Sequence, residues 1–451
     1  MSKVSSLAPR RWSAGWRAAA IAALAAMGAG GTAGADDALA WRGLTLYGTV
    51  DLGVAWLSHG APLSPDFPPG LPFVIQKFSD RAIVSIAPNG LSQSRLGLAG
   101  NEALGDGVSV IFRLETGFQP TSGALTDGPR SLVAADGVPL KAQTTSGDTG
   151  RAGQALQGAA WAGLDGGRFG ALTFGRQNSL LLDDLIAYDP QAQSYAFSPI
   201  GYSGVASGAG DTQDARFDSA VKYVVSRGPV RLTLQHQFGG VGRFAGGADE
   251  VDLGLRLGAV SADAAYGHID NAIAVASLNA AQAAAAPGTL AATISDNTAL
   301  SAQAKGKVGP LTLYGGYEHI VYANPSHPLA PGFRDIGGYV VSVVNDTAYV
   351  HHRILQIYWV GARFALTRSL DVTGAWYRFD QNSYRGDGCA YAGAPACAGS
   401  FSAVSGVADY RLNRHLDLYG GVIGSRVSGG LAAGFLHTAS VATMGGVRFG
   451  F

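Results

Sequence analysis

Charge is scarce in this 451-residue sequence, and neither sign is in excess. The 32 Lys and Arg residues balance 32 Asp and Glu residues, and charged residues make up 14% of the chain against roughly 25% in ordinary soluble domains. A nucleic-acid-binding protein would carry a basic excess, so that class of partner is excluded. Hydrophobic residues reach 47%, which excludes a disordered polar chain.

Cysteine and long apolar segments are also scarce. Two cysteines are too few for a small disulfide-scaffolded domain. The apolar stretch 18–31 is too short to cross a hydrocarbon core of about 30 Å as a helix. The alanine-rich segment 272–292 is interrupted by Asn279 and by Pro287-Gly288, which predicts a loop with at most one short helix.

The first 35 residues have the layout of a secretory signal peptide. Four basic residues precede the apolar stretch 18–31, and the small residues 33–35 offer a cleavage site. We therefore predict a signal peptide over 1–35 and a mature, exported chain over 36–451. An uncleaved membrane anchor is the alternative.

Alternation with period two, the pattern of β-strands, recurs from residue 43 to the last residue. In one such segment Arg113 and Glu115 fall opposite the apolar Phe112 and Leu114. In a barrel this pattern predicts that both charged side chains face the lumen. A soluble β-sandwich would show the same alternation, so the pattern alone does not choose between the two folds.

Further features favour a transmembrane β-barrel. Short connections alternate with long polar or Gly/Pro-rich ones, and aromatic residues gather near strand ends, as in Tyr358-Trp359 and Trp376-Tyr377. The chain holds 65 glycines, about twice average usage, and strongly curved strands tolerate glycine. Hydrocarbon cannot satisfy free backbone groups, so a membrane-spanning sheet must be a closed barrel.

We predict an all-β fold, a 16-stranded antiparallel transmembrane β-barrel. An even strand number is expected of a bacterial single-chain barrel, and sixteen strands leave a water-filled lumen. The candidate strands begin near residues 43, 93, 107, 154, 168, 216, 229, 248, 259, 297, 310, 351, 368, 400, 414 and 438.

Several connections are too long for turns and are assigned to the extracellular side. Cys389 and Cys397 lie in the segment 380–399. In an exported protein they are expected to form a disulfide that pins this loop. The long segments are 58–92, 119–153, 178–215, 270–296, 320–350 and 380–399.

Signals for catalysis or for a cofactor are poor. The sequence contains no G-x-S-x-G and no H-E-x-x-H motif. The glycine-containing segment 240–245 formally fits a dinucleotide fingerprint, but no helix pattern follows it. His351-His352 lacks further metal ligands nearby in sequence. We therefore predict no enzyme, no cofactor and no metal site.

Several motifs resemble the strand signatures of Gram-negative general porins, most of all the trimeric porins of β-proteobacteria. They are the segments 43–48, 94–102, 111–118, 172–177 and 448–451. The resemblance implies a homotrimeric outer-membrane channel in contact with outer-membrane lipid and lipopolysaccharide. The terminal Phe449 and Phe451 resemble the signal read by the barrel insertion machinery. The long loops 119–153 and 270–296 depart from the family pattern.

The same resemblance implies that the loop over about 178–215 folds inward and constricts the pore. Arg95, Arg176 and Arg216 match the basic wall cluster of general porins, although strict alternation would point Arg176 towards lipid. Arg95 and Arg216 could instead form ordinary salt bridges of the wall. The loop supplies the acids Asp183, Asp184, Asp189, Asp211 and Asp214, of which we expect Asp183 and Asp184 to face the pore.

Two function classes follow. The first is an outer-membrane porin, a water-filled channel for passive diffusion of ions and small hydrophilic solutes. The second is a surface-exposed β-rich adhesin without a pore. The absence of a fixed-period repeat and the aromatic C-terminus favour the channel. The solute preference and the choice between anions and cations stay open.

Overall fold

A computed structural model describes most of the mature chain. It covers residues 40–41, 43–67, 71–147, 154–200, 215–239, 246–332, 334–336, 339–385, 389 and 394–451. The predicted signal peptide, residues 1–35, lies outside the described residues. None of the helices in the described part is long and apolar enough to cross a membrane.

Antiparallel strands make up most of the described chain. They are β1 Ala40–Trp41, β2 Leu44–Gly60, β3 Arg81–Pro88, β4 Arg95–Gly105, β5 Val108–Gly117, β6 Ala159–Asp165, β7 Ala171–Asn178, β8 Arg216–Arg227, β9 Val230–Gln237, β10 Ala248–Leu257, β11 Val260–Ala276, β12 Leu290–Val308, β13 Leu311–Ala323, β14 Arg334–Ile336, β15 Tyr339–Asn345, β16 Arg353–Ala365, β17 Leu370–Gln381, β18 Gly399–Arg411, β19 Leu416–Gly429 and β20 Ala439–Gly450.

Helical segments in the described part are short and lie between strands. The α-helices are α1 Gly128–Ala134, α2 Leu180–Tyr188 and α3 Ala280–Ala285. Single 3₁₀ turns occupy Leu71–Phe73, Leu140–Ala142, Gly167–Phe169 and Gly430–Ala432. The short helix predicted within 272–292 is α3, which a capping box at Asn279 and Gln282 begins.

The strands close into one ring of sixteen positions, which confirms the predicted fold. β2 pairs with β4 through residues 44–49 and with β3 through residues 52–60, so β3 and β4 together fill one position. Every further neighbour in the ring is antiparallel, and β20 returns to pair with β2 over Thr49–Leu57. The hairpin of β14 and β15 lies in the connection between β13 and β16 and takes no position of the ring, but β15 pairs in parallel with the start of β12.

The structure corrects the predicted ends of several strands. β3 lies inside the segment 58–92, β12 begins at Leu290 rather than near 297, and β13 continues to Ala323. These extensions run beyond the part with clear apolar alternation. At the start of β12 the consecutive residues from Ile294 to Asn297 are all buried, so this part of the strand carries no alternation of apolar and polar residues.

Outward and inward faces alternate as the sequence predicts. In β17 Trp376 is 39% exposed, whereas the adjacent Tyr377 is fully buried inside the barrel. Val84 and Val404 are likewise exposed on the outer face, at 71% and 60%. The apolar outer face suits hydrocarbon, and the inner face is free to be polar.

The loop after β17 contains the two cysteines. The structure joins Cys389 and Cys397 in a disulfide, with a Cα–Cα distance of 5.3 Å. Gln381, at the end of β17, donates a hydrogen bond to the carbonyl oxygen of Cys397 at 2.9 Å. The disulfide thus lies at the base of this loop, next to the end of β17.

The last residue, Phe451, takes part in closing the ring. The Gly48 N–H donates to the carbonyl oxygen of Phe451 at 3.0 Å, and the Phe451 N–H donates to that of Gly48 at 3.1 Å. The Phe451 ring covers Gly48 so closely that a Cβ atom there would lie 2.4 Å from it. A side chain at position 48 would therefore collide with the Phe451 ring.

Deletion of Phe451 should reduce the amount of folded barrel in the outer membrane, since it removes two backbone hydrogen bonds at the closing seam and the predicted assembly signal. The measurement is the fraction of heat-modifiable protein on cold SDS gels of outer-membrane fractions. Replacing Val441, an exposed residue near the other end of β20, by Leu is the control and should leave the fraction unchanged. Wild-type insertion of the truncated chain would contradict the prediction.

Candidate functional site

The loop after β7 turns into the barrel and begins with α2. The Ser179 side chain accepts a hydrogen bond from the Leu182 N–H at 3.1 Å and caps this helix. Leu181 and Leu185 are buried in the main apolar cluster, against the inner face of β10 to β13. One apolar side of α2 therefore fixes the helix to the wall.

Beyond α2 the loop crosses the lumen. Phe197 meets Tyr419 of β19 edge-on, with ring centroids 6.4 Å apart, and Ser194 donates to the carbonyl oxygen of Gly90 at 2.7 Å. Three hydrogen bonds fasten the middle of the loop to β16, β17 and β18: Trp359 to the Tyr188 carbonyl at 3.1 Å, Tyr377 to Asp189 at 2.8 Å, and Gln191 to Ser405 at 2.9 Å. The residues 179–200 thus divide the lumen.

A cavity of about 890 Å³ remains beside the inward loop. Basic side chains dominate its described lining. The lining includes the bases Arg95, Arg113, Arg216, Lys222, Arg414 and Arg448 and the acids Glu115, Asp183 and Asp417. Six basic groups thus face three carboxylates.

Glu115 is the centre of the basic wall. Its carboxylate lies 2.9 Å from Arg113 and 3.7 Å from Arg95, and it accepts a hydrogen bond from Tyr47 at 2.9 Å. Arg113 also donates to the Tyr47 hydroxyl oxygen at 2.7 Å. One carboxylate is therefore shared by two guanidinium groups, which leaves positive charge uncompensated. Arg216 forms no ion pair with any described residue.

The acids of the inward loop do not all face this cavity. Asp183 lines it and forms an ion pair with Lys222 at 2.9 Å. Asp184 and Asp189 are buried and point towards the wall. Asp211 and Asp214 lie outside the described residues.

Arg176 is not among the described residues that line the cavity. Its guanidinium group forms an ion pair with Asp218 at 2.7 Å and donates to the carbonyl oxygen of Gln157 at 2.9 Å. The adjacent Gln177 and Asn178 both line the cavity, and the pairing of β7 with β8 shifts register between Gly175 and Gln177, so strict alternation does not hold at this end of β7. The structure therefore brings Arg95 and Arg216 together with Arg113 and Glu115, but without Arg176.

Several lining residues escaped the sequence analysis. Lys222 alternates with the outward-facing Val221 and Tyr223 in β8, so the two-residue period could have placed it in the lumen. Arg448 could have been found in the same way in β20. Arg414 lies in a short turn between β18 and β19, where no periodic signal exists.

The carboxyl of Asp184 docks onto an acidic part of the wall. The Nη2 atom of Arg231 lies 2.9 Å from Asp252, 3.0 Å from Asp263 and 3.9 Å from Asp184. Burial, together with the nearby Asp252 and Asp263 carboxylates, raises the pKa of Asp184 to about 9. Gln303 donates to Asp184 at 2.6 Å. Near neutral pH, Asp184 therefore holds its proton.

Comparisons with known proteins agree with this architecture. A family model described as Gram-negative porin matches residues 18–429. The chain belongs to the Gram-negative porin family. An outer membrane porin protein of Bordetella pertussis is 29% identical over 200 residues, a match that spans 44% of this chain and 43% of that porin. Family membership and the closed barrel favour an outer-membrane channel over the adhesin alternative.

Solved structures share the fold of this porin. An anion-selective porin from Comamonas acidovorans has a TM-score of 0.59 and 17% identity, covering 90% of this chain and 99% of that one. The trimer form of OmpT, an outer membrane protein of Vibrio cholerae, has a TM-score of 0.58 and 13% identity, again covering 90% of this chain and 99% of its own. At these identities the likeness concerns the fold alone.

Docking of α2 should weaken as the pH rises. The docked Asp184 has a pKa of about 9, against an ordinary value of 3.8, so the docked state binds the proton more tightly. The contribution of protonated Asp184 to the free energy of docking is complete below about pH 4. It is lost as the pH rises through about 9, at a slope of at most about 1.4 kcal/mol per pH unit. The measurement is the hydrogen-exchange protection factor of the α2 amides between about pH 5 and pH 10.

The variant Asp184→Asn is the matched control, because its amide is neutral at every pH. Its protection factors should stay level over the range in which those of the wild type fall. Equal losses in the two proteins would mean that Asp184 does not control the docking of α2.

Proposed function

We propose that this porin is a passive diffusion channel that favours small anions over cations and also admits small neutral hydrophilic solutes. The observation that carries the proposal is the charge of the cavity beside the inward loop, where the described lining residues include six Lys and Arg side chains and three carboxylates. Selectivity in such a pore comes from its diameter and from the charges that line it.

The positions of the acidic side chains of the inward loop support an anion preference. If Asp183, Asp184 and Asp189 all faced the pore, they would offset the basic wall. Asp184 and Asp189 are instead buried against the barrel, and Asp184 holds a proton near neutral pH. Only Asp183 of these three acids opposes the arginines, and Lys222 neutralises it at 2.9 Å.

The strength of the preference should depend on salt. Two unit charges 4 Å apart interact by about 1 kcal/mol in water and by about 4 kcal/mol at an effective dielectric constant of 20. The Debye length falls to about 3 Å at 1 M salt, so the arginine field is largely screened there. The anion preference is therefore greatest at low ionic strength.

The proposal includes the partners of the channel. A homotrimer in contact with outer-membrane lipid and lipopolysaccharide, inserted by the barrel insertion machinery, agrees with the apolar outer face and the aromatic C-terminus. Ions and small hydrophilic solutes pass through the proposed channel without chemical change. The proposed function is therefore not enzymatic and requires no cofactor.

Replacing Arg95 and Arg216 by Gln should shift the reversal potential towards cations, because two of the six basic groups leave the cavity. The measurement is the reversal potential in planar bilayers across a tenfold KCl gradient, at low and at high mean salt. We expect a permeability ratio changed a few-fold at low salt and much less near 1 M.

Three further variants test whether the position of a charge matters. Arg176→Gln removes one positive charge outside the cavity lining and should leave the reversal potential near that of the wild type. Asp183→Asn should increase the anion preference, whereas Asp184→Asn should not change it. A double arginine variant with wild-type selectivity at both salt concentrations would contradict the proposed site.

A further inference from the structure

The long loop between β5 and β6 forms a separate layer above the constriction. We call residues 118–147 the roof segment. On one side it rests on the loop between β2 and β3, through three hydrogen bonds: the Asp127 N–H to the Asp66 carbonyl oxygen at 2.8 Å, the Ser122 hydroxyl to that of Pro65 at 3.0 Å, and the Thr145 N–H to that of Pro62 at 2.9 Å.

The other side of the roof segment reaches the loop between β11 and β12. The Gly137 N–H donates to the carbonyl oxygen of Leu278 at 2.9 Å, and the Leu278 N–H donates to Asp136 at 2.7 Å. The Ser277 hydroxyl donates to the carbonyl oxygen of Leu132 at 2.8 Å. The Leu132 side chain is buried in an apolar cluster with Ile273, Leu290, Ala292, Ile294, Tyr339 and Val341.

These two attachments lie on opposite sides of the barrel mouth. The loop between β2 and β3 joins the first and second strand positions, and the loop between β11 and β12 joins the ninth and tenth. Eight positions in a ring of sixteen are half its circumference. A segment that contacts both loops must therefore extend across the mouth.

The roof segment also stacks above the constriction. Phe67, from the loop between β2 and β3, packs against Tyr195 of the inward loop, and Tyr195 lines the cavity. A Cβ atom on Gly147 of the roof segment would lie 2.5 Å from the Phe67 ring. Phe67 thus lies between the roof segment and the inward loop.

The charge of the roof segment is balanced. Its ionisable side chains are Asp127, Arg130, Asp136 and Lys141, two of each sign. An obstacle without net charge limits solutes by their size rather than by their sign.

We propose that the roof segment is an outer size filter, fixed across the mouth by its contact with Leu278 and separate from the charged constriction below. Asp136 is a positioning residue, because it fixes the far end of the segment without lining the cavity. The inference rests on the channel function proposed above but not on its anion preference. Solutes too wide to pass beside the roof segment are excluded before they reach the arginines.

The test measures permeability as a function of solute size. The double variant Leu132→Ala/Asp136→Ala removes the apolar anchor and the acceptor for the Leu278 N–H. In liposome-swelling assays, the rate for the trisaccharide raffinose, relative to that for the monosaccharide arabinose, should rise several-fold over the wild type. The reversal potential of the variant should stay at the wild-type value, because the constriction is unchanged.

The matched control is Asp136→Asn, which removes the charge but keeps an oxygen acceptor, and its raffinose-to-arabinose ratio should equal that of the wild type. If the double variant fails to assemble, the raffinose-to-arabinose ratio of the single variant Asp136→Ala provides the same test. An unchanged ratio in a correctly assembled variant would overturn the size filter, as would equal acceleration of both sugars. Wild-type protein that passes neither sugar would instead contradict the channel function.

Discussion

The structure depends on the closure of one ring of backbone hydrogen bonds. In hydrocarbon every unpaired N–H or C=O group costs several kcal/mol, so a sheet that spans the membrane cannot keep a free edge. β20 removes the last edge by pairing with β2, and the terminal Phe451 completes the contact with Gly48. With the edge strands paired, the outer face can be apolar and the inner face polar.

A ring of sixteen strands encloses more space than the side chains of its wall can fill. The residues 179–200 occupy part of that space, and polar contacts with the wall fix their position. Asp189 accepts a hydrogen bond from Tyr377, and Asp184 docks as a neutral acid beside Arg231. The same contacts that fasten the loop remove two acids from the pore, so the anchoring of the loop also sets the charge of the remaining cavity.

The proposed permeation path therefore passes two structures that select solutes in different ways, the roof segment and the constriction. The roof segment is balanced in charge and tied across the mouth by Asp136 and Leu278. The constriction below it is basic, with Arg95 and Arg113 sharing Glu115. Because a neutral obstacle acts by size and a charged wall acts by sign, the two layers can be altered independently of each other.

The barrel could be predicted from the sequence, because the two-residue period, the alternation of short and long connections and the aromatic residues near strand ends are all local features of the chain. The sequence placed Arg113 and Glu115 on the lumen face for the same reason. It could not separate Asp183 from Asp184: adjacent residues in a helix point about 100° apart, and only docking decides which of them meets Lys222 in the cavity and which meets Arg231 in the wall. The contact of Asp136 with Leu278 was equally invisible, since it joins loops 142 residues apart. Long-range contacts between irregular segments leave no periodic pattern in a sequence, so the charge of the cavity and the position of the roof segment become visible only in the folded chain.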